Sequence, residues 1–196
     1  MKTNSIKTIK NLSLILLVSL LTLSFNTKEN ALDNNIQRRY NHQPISEKEK
    51  EDIIYICELE RLSNEIFSIY ERQYSKPIFA RSLNTSYRHK ETLQWLVDTY
   101  NIDYNIKDQK NATYSNKNLQ ATYNMLSKGS TVEEALMACA MIESLMINEL
   151  EVRMEKTNNK DVYKVYKSVL KKAENHYRIY GNKLNRKGED VPSFKN

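Results

Sequence analysis

Four apolar stripes at helical spacing run through this chain, and each carries one metal-capable polar group near its middle. The first reads Ile53, Ile56, Glu60, Ser63, Phe67. The second reads Phe79, Ser82, Ser86, His89, Leu93, Leu96, Tyr100. The third reads Leu136, Cys139, Glu143, Met146, Leu150, and the fourth Val162, Tyr166, Val169, Ala173, His176, Tyr180. Residues three and four apart share one helix face, so Glu60, His89, Glu143 and His176 point where their apolar neighbours point, into a core. A buried carboxylate or imidazole is costly unless it is paired or ligated. Two Glu and two His at similar depth satisfy that requirement by pairing with one another or by sharing a metal.

Composition agrees with long helices. Gly and Pro number only 3 each in 196 residues, too few for the turns of a β-sandwich. The formal charge is +6, and removing Lys2, Lys7 and Lys10 of the leader lowers it to +3. No Arg/Lys stripe interleaved with aromatics stands out along the sequence, which leaves no positive argument for nucleic acid. The Lys and Glu runs read as a solvated face.

The chain opens with a positive segment followed by the apolar run Leu12 to Phe25. That run has the length of a secretory signal core and is shorter than the roughly 20 residues of a membrane span. Residues 1–30 are therefore expected to be a signal peptide, with an uncleaved anchor as the alternative. The remainder is expected outside the cytoplasm, periplasmic or extracellular, without stable membrane insertion once the signal is cleaved. Residues 31–45 are polar and aperiodic, and are expected to form a disordered linker. Cys57 and Cys139 are the only cysteines. Each lies one turn before a stripe Glu. On antiparallel helices they would fall on opposite sides of the Glu60/Glu143 layer, so two buried free thiols are expected rather than a disulfide.

Start and stop signals divide residues 46–192 into elements. Ser46 with Glu49 and Thr131 with Glu134 are capping boxes, and Pro77 suits a first helical position. Ser115 is expected to cap a short helix through Leu126, with Gly129 ending it. The first and second long helices are joined tightly, as are the third and fourth. Some thirty residues separate the two pairs. The predicted fold is all-α: two antiparallel hairpins joined by a long crossover containing a short helix, the ferritin-like arrangement of a four-helix bundle.

Four-helix carboxylate sites take a Glu from each of two helices and a Glu-x-x-His pair from each of the other two. Here Ser86 and Ala173 stand three residues before His89 and His176. The predicted ligand set is thus Glu60, His89, Glu143 and His176, enough for one iron or other transition-metal ion, with water in open positions.

The chain resembles the bacterial ferritin-like proteins grouped as domain of unknown function 2202, over about residues 46–192. The resemblance rests on Glu58-Leu59-Glu60-Arg61-Leu62-Ser63, on Pro77-Ile78-Phe79, on Thr85-Ser86-Tyr87-Arg88-His89, on Glu134-Ala135-Leu136, on Ile142-Glu143-Ser144-Leu145-Met146-Ile147, and on Asn175-His176. It implies a metal role for the four inner residues. The chain departs from the family pattern at Ser86, Ser144 and Met146, each standing where the pattern has an acid. If the chain is an enzyme, oxidation by oxygen or peroxide at iron is the expected chemistry. The rival reading is a metal-free bundle, a binding or structural module of the cell envelope. Its four inner residues would form a buried ion-pair network, and Glu60 taken alone has the further alternative of an ion pair with Arg61 or Arg88.

Overall fold

The computed structural model describes residues 42–105, 110–186 and 188, and the expected signal peptide and nearly all of the expected linker lie outside them. The described residues form five helices and no strand: α1 (Glu47–Tyr74), α2 (Pro77–Thr99), α3 (Lys117–Leu126), α4 (Val132–Lys156) and α5 (Lys160–Asn185). All five lie in the unit Gln43–Asn196. Among the described residues, no helix is long and apolar enough to cross a membrane.

Local chemistry sets the boundaries. Both capping boxes form, Ser46 with Glu49 and Thr131 with Glu134. Each satisfies two backbone donors that the first turn leaves open. Pro77 occupies the first turn of α2. At α1's end, Ser75 takes a left-handed conformation at φ 49° and returns its N–H to the Glu71 carbonyl. Two expectations are corrected in the crossover. Asn116, not Ser115, caps α3, its side chain accepting from the N–H groups of Asn118 and Leu119. The helix stops at Leu126 as expected, but Ser127 rather than Gly129 is its cap.

The four long helices form a bundle in which α1 and α4 each flank α2 or α5 as well as one another. α1 packs on α2 and α4, and α5 packs on the same two. End-to-end contacts give the directions. At α1's start, Glu49 Oε1 accepts from Thr157 Oγ1 at 2.7 Å, just past α4's end. At α1's end, Tyr70 reaches Leu126 and Gly129, just before α4's start. Hence α1 and α4 are antiparallel. Tyr100 at α2's end donates to Asn159 at α5's start, 3.0 Å, and Tyr180 near α5's end donates to Ser82 near α2's start, 2.6 Å. Hence α2 and α5 are antiparallel too. Gln43, in the stretch expected to be linker, accepts from Asn159 Nδ2 at 3.1 Å and from the Lys160 N–H at 2.9 Å.

The apolar stripes meet in one core that includes Ile53, Phe67, Phe79, Leu96, Leu150 and Tyr166. Cys57 and Cys139 are buried in it and unbridged, and burial pushes both thiols well above the ordinary range.

Candidate metal centre

The α1–α2 hairpin builds the first half of the centre. Glu60 is 2 % exposed and His89 4 %, and each sits near the middle of its helix. His89 Nδ1 lies 3.0 Å from Glu60 Oε2. Ser86, one turn before His89, donates its hydroxyl to Glu60 Oε1. Both oxygens of the carboxylate are therefore held by α2. His89 Nε2 is buried and has no hydrogen-bond partner among the protein atoms.

The α4–α5 hairpin builds the second half. His176 Nδ1 lies 2.7 Å from Glu143 Oε1, both residues being buried. Phe67 of α1 meets the His176 ring edge-on, with centroids 6.4 Å apart. Burial raises the Glu143 pKa above the ordinary carboxylate value. The hydrogen bond from His176 opposes that rise, and the Glu60 charge adds to it. Burial alone would lower the His176 pKa, but the hydrogen bond to Glu143 and the charges of Glu143 and Glu60 outweigh it, and the imidazole is raised. The two pairs thus feel each other's charge across the bundle.

All four expected residues are buried on the inner faces of four helices, joined two by two. Among the described residues, no three His, Cys, Asp or Glu side chains form a ready metal cage. The donor chemistry nevertheless fits a transition metal. Ligands at about 2.1 Å on adjacent octahedral positions lie about 3.0 Å apart, and the Nδ1–oxygen separations are 3.0 and 2.7 Å. His89 Nε2, on the other edge of the ring, is a buried polar atom with no protein partner among the described residues.

Glu60 pairs with neither Arg61 nor Arg88. Arg88 is exposed, and Arg61 points the other way. Arg61 is 3 % exposed, contacts Glu58 at 3.6 Å and Glu65 at 3.0 Å, and lies over the Tyr114 ring at 4.0 Å. It donates to the carbonyls of Lys110 and Thr113 at 2.9 and 2.6 Å. This buried ion group ties the crossover to α1 and lies apart from the inner quartet. Sequence reasoning missed it, although the Glu58–Arg61–Glu65 spacing of three and four was a visible signal.

A polar tier next to the quartet was missed as well. Tyr180 donates to Ser82 and also interacts with Cys139. Cys139 lies one turn from Glu143 and Tyr180 one turn from His176, while Ser82 lies one turn from Ser86, the residue that donates to Glu60.

Residues 49–195 match the family model described as "Uncharacterized protein domain (DUF2202)". The chain is 33% identical over 150 residues to "Uncharacterized protein MJ0754" of Methanocaldococcus jannaschii, covering 76% of this chain and 81% of that one. It is also similar to the crystal structure of hypothetical protein MJ0754 from Methanococcus jannaschii DSM 2661, with a TM-score of 0.73, 29% identity, and coverage of 78% of this chain and 90% of that chain. With three quarters of its length matched by sequence and by fold, this chain belongs to the DUF2202 family.

Proposed function

We propose that this chain is an exported ferritin-like four-helix-bundle protein that holds one transition-metal ion, iron by preference, between Glu60, His89, Glu143 and His176. The observation that carries the reading is the pairing of two buried carboxylates with two buried imidazoles, one residue from each long helix. The helix directions support the ferritin-like part. The two hairpins are joined by one long crossover, and α1 and α4 are adjacent and antiparallel.

The residues divide the work as follows. Glu60 and Glu143 supply two negative charges, which neutralise one divalent cation. Two cations would leave an unmatched buried charge. Ser86 orients Glu60 from the position where a fuller site would carry an acid. Burial of all four side chains keeps bulk water out. Bound iron would supply oxidase-type chemistry with oxygen or peroxide.

The test is elemental analysis of the full chain after anaerobic Fe(II), Mn(II) or Zn(II) loading and desalting. One ion per chain is expected, lost in the Glu60→Gln/Glu143→Gln double variant. Two tightly held ions per chain would overturn the single-site reading. No retained metal would favour the second reading, a metal-free envelope module stabilised by its Glu/His network. The lack of a three-ligand cage among the described residues is the observation that speaks for that alternative.

A further inference from the structure

Charge is sorted across the bundle by helix. Acids outnumber bases eight to four in α1 and six to two in α4. In α5 the balance reverses, with seven Lys and Arg against Asp161 and Glu174. Because α1 packs on α4 and α2 packs on α5, the acidic helices share one side and the basic helix lies on the other.

The α5 cations are aligned. At about 100° per residue, Lys160, Lys164, Lys167, Lys171 and Arg178 fall within a sector of about 60°. That sector is opposite the buried face of Val162, Val169, Ala173 and Tyr180. All five are exposed, and none has a carboxylate within ion-pair distance among the described residues. From Lys160 to Arg178 the stripe is about 27 Å long. Glu174 is the one acid of α5 beside this stripe, and on α2 the exposed Glu91 and Asp98 are matched by the exposed Arg81 and Arg88.

Apolar surface follows the same side. Among the described residues, the exposed large hydrophobic side chains are Tyr87, Trp95, Met125, Tyr163 and Ile179. Tyr163 and Ile179 are on α5 and Trp95 is on α2, whereas Tyr87 lies over the groove between α2, α1 and the crossover and Met125 is on α3. Tyr163 and Ile179 flank the α5 cations. Lys167 Nζ stands 6.0 Å over the Tyr163 ring. On the outside of α5 a cation thus stands over an aromatic ring in the middle of the basic stripe.

We infer that the α2/α5 side is a docking surface for a membrane rich in anionic phospholipid, bound peripherally and without insertion of a helix. Charge complementarity sets the partner's sign, because each lysine near an anionic leaflet is attracted while the acidic α1/α4 side faces away. The chemistry of the face favours lipid over nucleic acid. Four of the five stripe cations are lysines, point charges without the planar fork that reads phosphate bidentately. The stripe runs along the outside of a helix, not in a groove. The exposed Trp and Tyr are the residue types that settle at the headgroup level. The inference stands independently of the metal reading.

The test uses the full chain with vesicles of phosphatidylcholine alone or with about one third phosphatidylglycerol. Co-sedimentation is read together with the emission of Trp95, the single tryptophan. The natural chain should prefer the anionic vesicles, lose that preference in high salt, and shift its Trp95 emission to the blue on binding. Lys164→Gln/Lys167→Gln/Lys171→Gln should cut the anionic preference on the order of 100-fold at about fivefold per lysine. It should leave partition onto neutral vesicles and the far-ultraviolet circular dichroism unchanged. Lys117→Gln/Lys128→Gln/Lys156→Gln removes the same charge from exposed positions elsewhere and should retain most of the preference. An equal loss in both variants, no anionic preference in the natural chain, or tighter binding to RNA than to the anionic vesicles at matched salt would overturn the inference.

Discussion

Ser86 donates its hydroxyl to Glu60 Oε1 from the neighbouring helix, one turn before His89 takes the other oxygen of the same carboxylate. The residue that departs from the four-helix carboxylate pattern is thus a working part of the site. It holds the remaining acid in the orientation its histidine needs.

That contact sets two outcomes. Ser86→Ala leaves Glu60 Oε1 buried without its donor and should cost about 1–3 kcal/mol, measured by denaturant unfolding of the metal-free protein. Ser86→Glu restores the Glu-x-x-His pair with His89 and should raise iron occupancy from one toward two per chain, measured by elemental analysis. Unchanged occupancy would count against Ser86 as the limit on metal number.

Arg61 is the anchor of the crossover. Arg61→Ala removes the cation shared by Glu58 and Glu65 and the donor to two loop carbonyls. Breaking a buried ion group by deleting one partner should cost about 3–5 kcal/mol. Hydrogen exchange should quicken first at residues 110–116, before the four long helices. Uniform loss of protection would contradict the anchoring role.

Gly129 is required for close approach. Its N–H donates to the Tyr70 hydroxyl at 3.0 Å, and an added Cβ would stand 2.7 Å from that oxygen and 3.2 Å from the ring carbon bearing it. Tyr70 is fully buried and also donates to the Leu126 carbonyl, so it cannot swing aside. Gly129→Ala should destabilise by about 1–3 kcal/mol in thermal or chemical unfolding. A neutral result would mean that the turn before α4 yields freely.

The Glu143–His176 pair sets a pH dependence of the metal-free protein. The pKa values of both His176 and Glu143 are raised in the folded state, so folding binds protons more tightly at each. Stability therefore falls as pH rises, for Glu143 from its ordinary 4.5 upward and for His176 from its ordinary 6.5 upward. Melting temperature measured with chelator present should decline from mildly acidic to mildly alkaline pH. His176→Gln should flatten the part above the ordinary histidine value. A profile rising through that range would refute the assignment.

The helices and their inward residues were legible because helical periodicity is local. Ile53 to Phe67 and Val162 to Tyr180 mark their buried faces through spacing alone, and capping boxes at Ser46 and Thr131 need only four residues each to declare a helix start. Glu60, His89, Glu143 and His176 were found by the same local rule, since each interrupts an apolar stripe. The crossover was read less well. Asn116 and Ser115 are equally good caps by type, and the choice between them depends on how the loop meets α1. Gly129 carries no local mark of its closeness to Tyr70, some sixty residues earlier in the chain.

Which polar groups pair was decided only by the tertiary structure. Periodicity places a side chain on a face but says nothing of its neighbour across the bundle. Glu60 joining Ser86 and His89, Glu143 joining His176, and Arg61 turning outward to the crossover follow from how the helices are set side by side. The same holds for the sorting of charge. Helical spacing alone aligns the lysines of α5, but the packing of α5 on α2 and α4 decides that the stripe lies across the bundle from the acidic α1. The sequence alone determined the helices and their inward faces, through spacing and caps. Contacts between residues far apart in the chain decided the pairings within the core and the surface left to the outside.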